Sequence, residues 1–193
     1  MNKLKFVAPA TLVLIFLLLY FNFKNISGPV LVMMSIPFSL VGGIWLLYVL
    51  NYNFSVAVAV EFIALAGVAT EIGVLVLTFI DHELHVARRR KGAENALLTT
   101  EEVRNAVLMG TSERVRPIVM TATAIVLGLI PIMKGGGAGS QTMQRIAAPM
   151  VGGMLSTTAL SLLILPLIYG IFLEARESIR RRRREGGAKD HAL

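Results

Sequence analysis

Long apolar runs alternate with short polar segments along the 193-residue chain. The runs occupy about 4–21, 29–50, 55–80, 117–133 and 144–173. Each has the ~17–25 residues that a helix needs to cross a hydrocarbon core of ~30 Å. The pattern predicts five membrane-spanning helices in an all-α, polytopic bundle. Pro29 suits the first turn of the second helix, and Pro37 predicts a kink below the Gly42-Gly43 pair. Residues 51–54 are too few for anything but the tip of an antiparallel hairpin. The longest polar stretch, 81–116, reads as a cytoplasmic loop. It carries a short interfacial helix, because Thr99 and Glu102 have capping-box spacing and Val103, Ala106 and Val107 supply an apolar face. The glycine-rich stretch 135–140 lacks the Lys-Ser/Thr ending of a phosphate cradle and reads as a flexible turn. A basic tail, 174–193, closes the chain.

Composition sharpens this reading: 55% of residues are hydrophobic and 16% charged, which excludes a soluble domain. The absence of cysteine excludes both a disulfide framework and a thiolate metal site within the chain. The net charge of +7 does not indicate nucleic acid, since the basic residues gather at the ends of apolar runs without interleaved aromatics. Lys3 and Lys5 imitate the start of a signal peptide, but no small-residue cleavage site follows, so the first run reads as a retained helix. Lys and Arg number one in 22–28, seven in 81–116 and seven in the tail, against two at the N-terminus, none in 51–54 and two around the glycine-rich turn. That asymmetry puts the long loop and the C-terminus in the cytoplasm and the N-terminus outside.

The third run holds two carboxylates. A carboxylate in lipid costs a few kcal/mol, so Glu71 must face a bundle interior or a water-filled cavity. At helical spacing it shares a stripe with Ala64, Gly67, Val74 and Thr78, which lets another helix approach closely. Proton relay and a structural, hydrogen-bonded carboxyl are the two readings of that position. Glu61, near the helix start, reads as reaching interfacial water. Thr121 and Thr123 on the fourth run are relay candidates, against the alternative that each bonds its own backbone four residues back. Met143, Met150 and Met154 recur at i, i+7 and i+11, a thioether stripe suited to soft ions such as Cu(I) or to ordinary core filling. His82 and His85 have helical ligand spacing but read as juxtamembrane polar residues.

Three stretches, GVATEIGVLVL (67–77), RVRPIVMTATAIVLGLIPI (114–132) and GAGSQTMQRIAAPMVGGM (137–154), resemble the resistance-nodulation-division transporters. Within these the resemblance is to the copper/silver branch of the heavy-metal exporters, and PFSLVGGIWLL (37–47) and EFIALAGVA (61–69) extend it over nearly all of 4–169. It implies a transporter rather than an enzyme, with these helices as the last five of twelve in an inner-membrane, proton-driven exporter of Cu(I) or Ag(I). It also implies a homotrimer working with a periplasmic adaptor and an outer-membrane channel, surrounded by lipid, with no cofactor beyond the transported ion and the proton motive force. Carried over by position, Glu71 matches the membrane carboxylate, Arg114 and Thr121 match proton-coupling positions, and Met143 matches a methionine of the metal relay. Two positions depart: Ile118 stands where the branch has a lysine paired with the carboxylates, and Glu61 stands where relatives have glycine. A divalent-metal or drug exporter, and a truncated or split helical module without activity of its own, are the alternative readings.

Overall fold

The computed structural model describes residues 2–23, 25–92, 96–137 and 139–190. Met1, Ala138 of the glycine-rich turn and the last tail residues, 191–193, lie outside the described residues. The helices are α1 (Asn2–Phe23), α2 (Ser27–Val49), α3 (Val56–Arg90), α4 (Thr100–Lys134) and α5 (Ser140–Ala159). A π-helical turn, Leu160–Ile164, then joins α5 to α6 (Leu165–Asp190), so that one long rod crosses the bundle. No strand occurs among the described residues, and the chain is an all-α membrane helical bundle. Ser27–Val49, Val56–Arg90, Thr100–Lys134 and Ser140–Arg180 are each long and apolar enough to cross a membrane, and Ala10–Phe23 adds a shorter apolar helix.

The centre of the bundle is the crossing of α2 and α5, its most intimate helix pair. Small residues allow it. A Cβ on Gly42 would strike Ser156 Oγ and the Gly152 carbonyl, and one on Gly43 would come within 2.8 Å of Phe62 and 2.9 Å of the Pro149 carbonyl. Without an appreciable hydrophobic drive between helices in lipid, close backbone approach and hydrogen bonds hold such a crossing together. Ser156 Oγ supplies one, donating between the Ser39 and Gly153 carbonyls at 3.0 Å each. Helix α3 packs on α2, α4 and α5, while α1 leans chiefly on α2.

Most of the polar stretch 81–116 is helix rather than loop, and residues 93–95 within it lie outside the described residues. Helix α3 continues to Arg90, because Leu84 extends the buried stripe of Ile72, Val76, Leu77 and Ile80 at helical spacing and no breaker intervenes before Gly92. Helix α4 then starts at Thr100 with the expected capping box and runs unbroken through Pro117. That proline costs one backbone hydrogen bond, but Val103, Ala106, Val107, Gly110, Ile118 and Ala122 form a continuous buried stripe on both sides of it. The expected short interfacial helix is therefore the first part of α4. At 35 residues each, α3 and α4 measure about 52 Å, well beyond the ~30 Å core. The tail is likewise the helical continuation of α6 to Asp190.

The π turn has a sequence cause. Pro166 lacks an N–H and its ring would press on the carbonyl four residues earlier, and local π geometry relieves that pressure.

Candidate functional site

Antiparallel α3 and α4 come into backbone contact where a Cβ on Gly110 would lie 2.8 Å from Ile80 Cα. From that level Glu71 stands nine residues along α3 and Thr121 eleven along α4, rises of about 14 and 17 Å. The two are thus at matching depth, in the middle of the apolar part of the bundle. Each is exposed on the outside of this bundle, and no hydrogen bond joins them among the described residues. The stripe around Glu71 divides: Ala64, Gly67 and Thr78 are exposed with it, whereas Val74 packs against the core. The opposite face of α3, with Leu65, Ala69, Ile72 and Val76, is buried.

The Thr121 hydroxyl donates to the Pro117 carbonyl at 3.0 Å, the own-backbone bond of a helical threonine. Its lone pairs remain available as acceptors. Thr123 instead lines a cleft between α4 and α5 with Val119, Leu155 and Thr158. The Arg114 guanidinium lies over the Phe79 ring at 3.5 Å from its centroid, and its Nε is buried without a hydrogen-bond partner. Because α4 is already helical at that point, Arg114 stands beside the third span rather than in a loop. This cation–π contact partly replaces the hydration an arginine loses there. Ile118, one turn on, is 5% exposed within the core.

The methionine stripe is split. Met154 is 0% exposed in the core and Met150 packs against it, so both fill space, while Met143 is 58% exposed in the first turn of α5. Gly139, at φ +88, turns the chain into that helix. Met143 lies at the end opposite Arg114, and the structure does not bring the two together. Glu61 is half-buried near the start of α3. His82 and His85 are exposed, and among the described residues no group of three or more His, Cys, Asp and Glu side chains could hold a metal ion.

Polar contacts between α3 and α6 were not visible in the apolar pattern. Tyr169 Oη donates to Asp81 Oδ1 at 2.6 Å, and Arg88 donates to Glu177 at 2.6 Å. The pairs 81/88 and 169/177 advance by nearly equal steps along two parallel helices, which is the signal that would have found them. Arg176 also reaches Asn25 in the α1–α2 turn at 3.3 Å, so this end gathers Asn25, the α3–α4 connection and the tail. The other end is tied by Gln144, which donates to the Gly135 carbonyl at 2.7 Å.

The chain matches the AcrB/AcrD/AcrF family over residues 1–173. It is 42% identical over 180 residues to the cation efflux system protein CusA of Escherichia coli (strain K12), covering 93% of this chain and 17% of that protein. To the putative cation efflux system protein SilA of Salmonella typhimurium it is 47% identical over 170 residues, covering 87% of this chain and 16% of that protein. The cobalt-zinc-cadmium resistance protein CzcA of Cupriavidus metallidurans is 38% identical over 168 residues, covering 87% of this chain and 15% of that protein. A crystal structure of a heavy metal efflux pump superposes with a TM-score of 0.73 at 34% identity, over 88% of this chain and 16% of that one. The chain thus spans about a sixth of the length of the relatives it matches.

Proposed function

The chain belongs to the AcrB/AcrD/AcrF family, and on that premise we propose that it forms the last five of twelve membrane helices in a proton-driven exporter of Cu(I) or Ag(I). The relatives are transporters rather than enzymes: their names speak of cation efflux and of cobalt-zinc-cadmium resistance, and the superposed structure is that of a heavy metal efflux pump. One observation carries the mechanistic reading. Glu71 sits at mid-depth on an apolar helix, on a face that this chain leaves open. A carboxylate does not stay in lipid, so helices outside the chain cover that face and complete a shielded polar path. In this reading Glu71 gains and loses the proton. Thr121 offers an acceptor at the same depth, Arg114 biases the path electrostatically, and Met143 passes metal at the opposite end.

Orientation follows from charge and aromatic residues. Arg88–Arg90 and the Arg180–Arg184 run share one end, which the positive-inside rule assigns to the cytoplasm. Trp45 and Tyr48, 69% and 80% exposed, sit toward the other end of α2, as aromatic residues do at an interface. The N-terminus is then periplasmic, and the protein lies in the inner membrane as a homotrimer serving a periplasmic adaptor and an outer-membrane channel.

Replacing Glu71 by Gln in the complete protein should abolish copper and silver tolerance at normal expression while leaving the amount of protein in the membrane unchanged. Retained tolerance would overturn the relay. Ile118 favours a second reading, export of divalent ions, because a buried aliphatic residue cannot form the lysine–carboxylate pair of the copper/silver branch. A panel of copper, silver, zinc and cobalt sensitivities on deletion of the gene separates the two: zinc or cobalt sensitivity without copper sensitivity selects the second.

A further inference from the structure

Where the first part of α4 runs beside α6, the two helices leave a groove of about 450 Å³. Its walls are apolar, with Val107 and Leu108 on one side and Leu163 and Leu167 on the other. Gly170 contributes to the floor, and a Cβ there would meet only Val107, at 3.7 Å. Two charges line the same groove, Arg104 from α4 and Glu174 from α6. Glu174 directly follows the apolar run of the last span, which puts the charged mouth at the level where the bundle leaves the hydrocarbon. Neither residue takes part in an ion pair among the described residues.

We infer that this groove binds a zwitterionic phospholipid, with an acyl chain along the apolar walls, the phosphate at Arg104 and the headgroup ammonium at Glu174. Charge complementarity selects this occupant. An anionic phospholipid would satisfy Arg104 but be repelled by Glu174, and an apolar helix closing the groove would strip both charges of water with nothing in return. A headgroup carrying one charge of each sign satisfies both, and an acyl chain suits a narrow apolar wall.

Native mass spectrometry of the complete protein tests this, after delipidation in neutral detergent and addition of equimolar phosphatidylethanolamine and phosphatidylglycerol. Retention of phosphatidylethanolamine over phosphatidylglycerol should be about two- to fivefold, the worth of one exposed charge pair. Glu174→Gln should erase the preference, Glu174→Lys should reverse it, and Gly170→Leu, which fills the groove, should remove the bound lipid. Thermal unfolding of each lipid-free variant checks its fold, and the two Glu174 variants decide the matter should Gly170→Leu not fold. Equal retention of both lipids by the unsubstituted protein would overturn the inference. So would phosphatidylethanolamine retention that none of the substitutions changes, the result expected if another helix of the protein closes the groove.

Discussion

The α2–α5 crossing and the outer face of α3 and α4 both carry glycines at membrane depth, yet the glycines do opposite things. At the crossing, Gly42, Gly43, Gly152 and Gly153 are used up: a Cβ on any of them would collide with a neighbour. On the outer face, Gly67 and Gly128 have nothing within 4 Å of an added Cβ. Glu71 and Thr121 share that open side of the bundle. The difference teaches that this chain closes its own centre completely but leaves the face of Glu71 and Thr121 open. Small residues there are room kept for a neighbour, in the way small-residue faces serve helix association in lipid.

Filling the closed side should do the most damage. Gly152→Leu drives a side chain into the Gly42 carbonyl and Leu46, an overpacking that should cost about 3 kcal/mol in unfolding from mixed micelles. Removal of one partner from the Arg88–Glu177 pair comes next. The Arg88 and Glu177 side chains are 18% and 6% exposed. Arg88→Ala strands Glu177 and should therefore lose about 2 kcal/mol, below the full penalty for a stranded buried charge because Arg180, 3.7 Å from Glu177, still faces it. Tyr169→Phe, which takes the donor from Asp81, should lose about 1 kcal/mol by the same assay.

The open side gives the contrasting result. Gly67→Leu should change the stability of this bundle by less than about 0.5 kcal/mol, yet abolish metal tolerance when made in the complete protein. A large loss of bundle stability, or unimpaired tolerance, would break the comparison between the two faces.

The smallest expected effect is a pH dependence at the start of α4, in the polar extension some fifteen residues before the apolar part of that helix. The Glu102 carboxyl is lowered to about 2, first by the ammonium of Lys91 at 2.5 Å and then by hydrogen bonds from Thr99. A carboxyl held below its ordinary value of 4.5 contributes stability that is fully present above about pH 4.5 and is lost as pH falls toward 2. Hydrogen exchange of the first-turn amides of α4 should rise through that window, and Glu102→Gln should remove the dependence.

Much of this architecture was legible along the chain. Apolar run length announces membrane helices, and Thr99 with Glu102 announces the start of α4, because burial in lipid and capping are local requirements. For Glu71 the sequence states a requirement, a shielded environment, because a carboxylate in lipid is costly whatever the fold, and this chain by itself leaves that face open. The continuation of α3 and α4 beyond their apolar runs was not legible. It depends on Leu84 and Val107 finding partners on other helices, and polarity alone made those segments look like a loop. The methionine stripe was ambiguous for a related reason: one helical spacing accommodates both Met154 in the core and Met143 at the exposed end.

By itself, then, the sequence determined the helical class, the apolar spans and the basic end. Tertiary structure decided which face of each span is closed. It buried Ile118, stacked Arg114 on Phe79, joined Asp81 to Tyr169, and left Glu71 and Thr121 facing outward at one depth. The reason is physical: periodicity records how polar each face of a helix is, while the crossing of helices, set by where their glycines let backbones touch, chooses which faces meet.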